Sequence, residues 1–193
     1  PEITENLDRA AIGLSGDRPF NLFMFDYFSI FKRKNPLDLI AVHKTAFPEE
    51  NGPILVIKTV NAGKHATQHE QLLFSVSDRT DILVVDKYLS REQLHCLVNE
   101  CQTYISLHRS EGYGLTIAEA KSLGKPVIAT GYSGNLDFMN SENSILVPFE
   151  LVLVGDDAYP YDKNAMWAKP DLDFAAGALR KLHQDPELRA RLG

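Results

Sequence analysis

The clearest evidence for the fold class is the stretch from Thr103 to Pro148, TYISLHRSEGYGLTIAEAKSLGKPVIATGYSGNLDFMNSENSILVP. Three short apolar runs within it are typical of strands covered on both faces. They are Thr103–Leu107, Pro126–Thr130 and Ser144–Val147. A helix is predicted between the first two, from Leu115 to Leu123, because Gly124 suits a left-handed helix end and Pro126 opens the next strand.

The same alternation extends towards the N-terminus. Further strands are predicted at Phe20–Phe28, Ile54–Val60 and Ile82–Asp86. Asn35 followed by Pro36 predicts a capped helix start, and Ser90 with Gln93 predicts a capping box. Near the C-terminus, Asp171 is expected to cap a long helix through Leu182, and Asp185-Pro186 is expected to start another. The segment Phe149–Lys169 shows no clear periodicity of apolar residues and is interpreted as a long connection.

Strands that alternate with helices in this way predict an α/β fold, a doubly wound, mostly parallel six-stranded sheet of Rossmann-like type. Ligands of such sheets bind at the carboxyl ends of the strands, so functional residues are expected in the strand-to-helix loops. Residues 1–18 lack an apolar period and end in the turn-rich GLSGDRP, which predicts a linker before a domain at 19–193.

Composition narrows the function. The chain has 193 residues, a formal charge of −6 and 44% hydrophobic residues. This charge gives no general attraction to nucleic acid or anionic lipid, and no apolar run approaches the ~20 residues of a membrane-spanning helix. Cys96 and Cys101 are too few for a disulfide framework, so we expect buried thiols and a cytoplasmic location. The histidines outside the glycine loop show no metal-like spacing, and His43 and His95 are among those interpreted as surface or helix-face residues.

The glycine loop after the strand at Thr103–Leu107 is the main candidate for chemistry. Gly112-Tyr113-Gly114 would let backbone N–H groups approach a ligand at a helix start, which suits a phosphate or a polyhydroxylated group. Glu111 precedes the glycines and Glu119 follows eight residues later, and two carboxylates so placed suit hydroxyl groups on either side of the phosphate.

EGYGLTIAE (Glu111–Glu119), followed by AEAKSLGKPVIAT and GYSGNLDFM, resembles the donor-binding signature of the retaining glycosyltransferases of family 4, also called group 1. The resemblance runs from about Phe20 to Leu182 and covers the C-terminal lobe of a two-lobe GT-B enzyme. It implies that the substrate is a GDP- or UDP-linked sugar, with no cofactor and no metal, and that an N-terminal acceptor-binding lobe is missing from this chain.

The resemblance also implies roles for individual residues. Glu119 would accept hydrogen bonds from the ribose, and Glu111 would contact the donor sugar. Lys34 would reach the diphosphate, so that Glu111 and Lys34 are the residues expected to serve catalysis by orientation and charge stabilisation. Gly112, Tyr113, Gly114 and Leu115 would line the sugar and diphosphate, and Lys87, Tyr88 and Leu89 lie where the family holds the base.

One position departs from the family pattern. Phe28 stands where an arginine commonly precedes the lysine by six residues, and Arg33, Lys58 and Arg109 are the candidates to replace its phosphate contact. The sequence therefore predicts the donor-binding lobe of a hexosyltransferase, inactive as an isolated domain. Two alternatives stay open: a binding module that has lost transfer, and a related two-lobe activity such as a sugar-nucleotide epimerase or a sucrose or trehalose synthase type enzyme.

Overall fold

The computed structural model describes residues 7–156 and 158–193. Its centre is a six-stranded parallel sheet of order β3-β2-β1-β4-β5-β6. The strands are β1 (Phe20–Asp26), β2 (Ile54–Val60), β3 (Ile82–Asp86), β4 (Thr103–Ser106), β5 (Val127–Thr130) and β6 (Ile145–Val147). The predicted α/β Rossmann-like fold and all six strands are confirmed; β2 and β3 have the predicted bounds, and the other four differ from them by one or two residues.

Helices cover both faces of the sheet. They are α1 (Phe31–Lys34), α2 (Pro36–Ala46), α3 (Ala66–Val76), α4 (Arg91–Glu100), α5 (Leu115–Ser122), α6 (Leu172–Gln184) and α7 (Pro186–Leu192), and short 3-10 turns lie at Ala10–Ile12, Ala62–Lys64 and Gly134–Asp137. One buried cluster includes Phe23, Leu39, Ile57 and Leu179 on one face of the sheet. A second includes Leu22, Val56, Leu97 and Val127 on the other. The alternating strand residues thus supply two separate cores.

The helix ends follow local chemistry in most places. Ser90 and Gln93 form the predicted capping box of α4, and the Asp171 carboxylate accepts from the backbone N–H of Phe174 at 2.9 Å to cap α6. The predicted cap by Asn35 is wrong. Its backbone is left-handed at φ 59°, and its side-chain amide donates instead to the Leu107 carbonyl at 2.9 Å, which fastens the start of α2 to the end of β4.

The segment after β6 also differs from prediction. Phe149–Leu153 (β7) and Met166–Pro170 (β8) pair as an antiparallel hairpin, so the expected long connection contains two strands that the sequence did not predict. Val154, Ala158 and Trp167 form a small buried cluster at this hairpin. The pairing supplies backbone partners that a loop without strands would have needed from solvent.

The predicted linker falls partly outside the described residues, which exclude 1–6. Within the described part, Ile12 and Leu14 are buried against the second core. The boundary between linker and domain stays a prediction. His43 was expected on the surface or on a helix face, and it lies on a face of α2 where it is fully buried and contacts the Asp81 carboxylate at 3.0 Å.

Candidate functional site

A cavity of about 450 Å³ opens at the carboxyl ends of the central strands. The neighbours β1 and β4 are the strands between which the strand order reverses, and such a switch point is the usual ligand position in open α/β sheets. Predicted residues that line the cavity are Lys34, Lys58, Glu111, Tyr113, Gly114, Leu115 and Glu119. Residues that the sequence reasoning missed also line it: Met24, Phe25, Asp26, Ser29, Val60, Leu94 and Thr116.

Glu111 stands at the centre of a buried group of charges. Its carboxylate contacts the Arg33 guanidinium at 3.1 Å and the Lys34 ammonium still more closely, and its side chain is only 8% exposed. Burial alone would raise the pKa of Glu111, but the charges of Lys34 and Arg33 bring it below its ordinary value. The carboxylate is therefore ionised at neutral pH and holds both cations, of which Lys34 lines the cavity.

Burial also acts on the two lysines of the cavity. It lowers the pKa of Lys34, an effect that the Glu111 charge opposes. Burial likewise lowers the pKa of Lys58, whose ammonium donates to the Thr59 carbonyl at 2.7 Å, with Asp86 and Asp26 acting in the opposite direction. A bound anion would favour the charged form of both lysines.

Glu119 lies on α5 and lines the same cavity as Glu111 and Lys34. Its carboxylate is in contact with the His95 imidazole at 3.0 Å, and the two side chains are 32% and 15% exposed. Among the described residues, His95 is the only side chain paired with this carboxylate. The sequence could not reveal the contact, because α4 and α5 meet only in the folded chain.

The glycine loop owes its path to a second loop packed against it. The backbone N–H of Glu111 donates to the Ser133 hydroxyl at 2.8 Å, and that of Gly134 donates to the Glu111 carbonyl at 3.1 Å. Ser133 has φ 74° and ψ −150°, a conformation that only glycine adopts without strain. Gly114 begins α5 at φ +87°, where a side chain would also be strained. These contacts leave the first turn of α5 facing the cavity.

His108 supports the same pair of loops from beneath. It is fully buried, and burial lowers its pKa, so a neutral imidazole is expected. Its Nε2 lies 3.1 Å from Asn135 Oδ1, and its Nδ1 lies 3.1 Å from the Ser106 hydroxyl. The Asn135 amide in turn donates to the Thr130 carbonyl at 3.0 Å. His108 thus links β4 to the loop after β5 and does not line the cavity.

Several predicted residues lie away from the cavity lining. Lys87 approaches the Ala11 carbonyl at 3.4 Å, and the hydroxyl of the exposed Tyr88 donates to Asn61. Leu89 packs against the second core. Arg109 borders a different cavity, of about 290 Å³, together with Trp167. Of the three candidates for the phosphate contact, Lys58 lines the cavity, Arg33 belongs to the charge cluster through its contact with Glu111, and Arg109 does neither.

Within residues 7–156 and 158–193 no group of three or more His, Cys, Asp or Glu side chains is placed to hold a metal ion. Over the same residues, every helix is too short or too polar to span a bilayer.

The sequence profile of the family described as glycosyl transferases group 1 matches residues 28–193. The chain belongs to this family. The match contains the charge cluster, the glycine loop and both glutamates, and so most of the cavity lining, whereas Met24, Phe25 and Asp26 precede it. No curated protein sequence matches the chain significantly.

Solved structures agree with the fold. TarM from S. aureus, crystallised with fondaparinux, α-GlcNAc-glycerol and UDP, matches with TM-score 0.64 and 12% identity over 100% of this chain and 33% of TarM. A UDP-forming α,α-trehalose-phosphate synthase from Burkholderia xenovorans matches with TM-score 0.66 and 13% identity over 91% of this chain and 38% of its own. The C-terminal domain of a group 1 glycosyl transferase from Francisella tularensis matches with TM-score 0.65 and 17% identity over 92% of this chain and 80% of that domain chain. The chain thus spans about a third of the first two proteins.

Proposed function

We propose that this group 1 domain is the donor-binding lobe of a retaining hexosyltransferase of family 4, and that it binds a nucleoside diphosphate sugar in the cavity at the carboxyl ends of the strands. The observation that carries the proposal is the convergence of Glu111, Glu119, Lys34 and Lys58 on one cavity. The two carboxylates can accept from sugar and ribose hydroxyls, and both lysines line the same cavity.

Lys34 and Arg33 are proposed to neutralise the diphosphate. Both cations contact the Glu111 carboxylate, which holds them in place for the nucleotide sugar. Fixed charges in a buried site need little reorganisation as negative charge develops on the departing diphosphate. Glu111, relieved of part of this pairing, would then contact the donor sugar.

Lys58 is proposed to supply the phosphate contact that the family obtains from arginine at the position of Phe28. Its ammonium is buried and borders the cavity, whereas the Phe28 side chain is 65% exposed. Arg109, the third candidate, is engaged with Asp38 at 3.1 Å. Sequence position alone could not rank these three candidates.

The transfer itself would retain the anomeric configuration. The bond between the anomeric carbon and the diphosphate oxygen breaks, the acceptor oxygen bonds to that carbon on the same face, and the acceptor proton passes to the leaving diphosphate. The chain spans about a third of TarM, so an acceptor-binding lobe is proposed to lie elsewhere in the complete protein. The 193-residue chain alone is expected to bind the donor without efficient turnover, and we propose that it works in the cytoplasm.

A trehalose synthase type activity is a second candidate, favoured by the structural match to the Burkholderia trehalose-phosphate synthase. UDP in the TarM crystal favours a uridine nucleotide as the first donor to test. An epimerase and a module that has lost transfer remain alternatives on the sequence alone.

Product analysis of the full-length protein separates these functions. UDP-glucose, UDP-GlcNAc and GDP-mannose are each incubated with the protein and a panel of sugar and sugar-phosphate acceptors, and the products are examined by ¹H NMR. The proposal predicts a glycoside with the anomeric configuration of the donor. An inverted glycoside, an epimerised sugar nucleotide, or an unchanged donor under all conditions would contradict it.

A further inference from the structure

The hairpin of β7 and β8 packs against the part of the chain that carries the candidate phosphate-binding cations. Its buried cluster of Val154, Ala158 and Trp167 includes a contact with Ile30, the residue that immediately precedes α1. The Lys32 ammonium of α1 donates to the Asp156 carbonyl at 2.8 Å. The hairpin therefore touches α1 directly.

The main chain of Arg109 joins the hairpin to α1 a second time. Its N–H donates to the Arg33 carbonyl at 2.8 Å, and its carbonyl accepts from the Ala168 N–H at 2.9 Å. The residue is thus held between α1 on one side and β8 on the other, in the loop that leads from β4 to Glu111.

The side chain of Arg109 strengthens the same junction. Its guanidinium lies over the Trp167 ring, 5.5 Å from the centroid, and contacts the Asp38 carboxylate of α2 at 3.1 Å. An arginine placed over a tryptophan face and paired with a carboxylate is a favourable arrangement. Both partners lie away from the nucleotide cavity.

Helix α1 depends on such neighbours for its position. It has only four residues, none of them buried, and its first residue has no side-chain cap. A helix this short has almost no intrinsic stability, so its place is set by the contacts that its flanks make. Lys34 is the last residue of α1, and any displacement of the helix moves its ammonium relative to Glu111.

We propose that the β7–β8 hairpin, acting through Trp167 and Arg109, fixes α1 and thereby sets the position of Arg33 and Lys34 against the phosphates of the bound nucleotide. Arg109 is then a positioning residue and makes no contact with the ligand. This inference rests on the proposed function, since it assumes that a nucleoside diphosphate occupies the cavity.

Two variants and one matched control test the inference. Arg109→Gln removes the guanidinium, and Trp167→Phe keeps an aromatic ring in the buried cluster while weakening the cation contact. Arg9→Gln is the control, because the Arg9 guanidinium lies over the Phe20 ring at the same 5.5 Å but far from the hairpin. Arg109→Lys keeps the positive charge and should restore part of any loss.

The first readout is hydrogen exchange of a peptide that covers residues 30–35. Arg109→Gln and Trp167→Phe are expected to speed its exchange by about threefold to tenfold, while peptides of α4 are unchanged and Arg9→Gln has no effect on residues 30–35. Unchanged exchange at residues 30–35 would overturn the bracing role whether or not the chain binds nucleotides.

The second readout is calorimetric titration with UDP, GDP and ADP and with the matching monophosphates UMP, GMP and AMP. Displaced cations should lower the preference for the diphosphate about fivefold, with little change in monophosphate affinity. In a protein that already carries Lys34→Ala, this effect of Arg109→Gln should be smaller, because only the displacement of Arg33 then contributes. An unchanged preference in a variant whose α1 exchanges faster would overturn the link to the phosphates. Failure of the unmodified chain to bind any of the six nucleotides would overturn the proposed function itself.

Discussion

Gly134→Ala is expected to displace the glycine loop. Gly134 follows the strained Ser133 and packs directly on the main chain of residues 112 and 113. A methyl group at this position would lie 1.9 Å from the Gly112 carbonyl oxygen, 2.5 Å from its carbonyl carbon and 3.0 Å from the Tyr113 Cα. All three atoms belong to the backbone, so no side chain can rotate away to make room.

The size of the effect follows from these distances. Restoring a contact of about 3.0 Å to the carbonyl oxygen requires a shift of about 1 Å, and a misplacement of that size can reduce ligand binding or turnover about 100-fold. Crowding of a packed site costs about 1–3 kcal/mol of stability. For a chain of this length, each kcal/mol lowers the Tm by about 3 °C.

The assay combines titration with UDP, GDP and ADP and thermal unfolding followed by circular dichroism. Gly177→Ala is the control, because Gly177 lies in α6 with nothing within 4 Å of an added Cβ, and alanine there should slightly raise stability. A Gly134→Ala protein that unfolds cooperatively and binds nucleotide as tightly as the unmodified chain would show that the methyl group does not displace the glycine loop from a nucleotide site.

Three further outcomes are expected. His95→Ala should weaken nucleotide binding about twofold to threefold, because the pair with Glu119 is partly exposed, and titration should show no further loss in a protein that already carries Glu119→Ala. Burial would raise the pKa of the Asp81 carboxyl, but hydrogen bonds from its partners, Arg79 among them, hold it far below its ordinary 3.8. The ionised carboxylate stabilises the fold fully above that ordinary pKa, and this stabilisation is lost as the pH falls below it. The free energy of unfolding in urea, measured between pH 6 and pH 3, should therefore fall more steeply for the unmodified chain than for Asp81→Asn. At pH 6, Asp81→Asn should itself be about 3 kcal/mol less stable. Burial raises the pKa of the Cys101 thiol to about 12, so iodoacetamide at pH 7.5 should modify it only after unfolding. Mass spectrometry that detects modified Cys101 in the native protein would contradict this expectation.

Local sequence signals predicted the sheet and most helix ends. Each strand is a short apolar run with turn residues after it, and Ser90 and Asp171 cap their helices through side chains that need no distant partner. Local signals failed at Asn35. Its side chain has a cap-like chemistry, but the Leu107 carbonyl, 72 residues away, provides a buried partner that only the folded chain brings near.

The candidate site could be predicted in part for the same reason. The spacing of Glu111 and Glu119 follows from one strand, one loop and one helix, and both glutamates line the cavity. The orientation of the Arg109 side chain depends on Trp167, which belongs to the β7–β8 hairpin. This hairpin was not predicted, because Phe149–Leu153 alternates only weakly between polar and apolar residues. The contact of His95 with its glutamate likewise joins two separate helices.

The most direct measurement of the central claim is isothermal titration of the 193-residue chain with UDP, GDP and ADP, repeated with Glu119→Ala. Glu70→Ala is the matched control, since Glu70 is an exposed residue within α3 and lies outside the cavity lining. If the cavity is the donor site, one nucleotide binds to the unmodified chain, Glu119→Ala abolishes or severely weakens this binding, and Glu70→Ala leaves it unchanged. Equal affinity in the unmodified and Glu119→Ala proteins, or no binding of any of the three nucleotides, would contradict the claim that this cavity is the donor site.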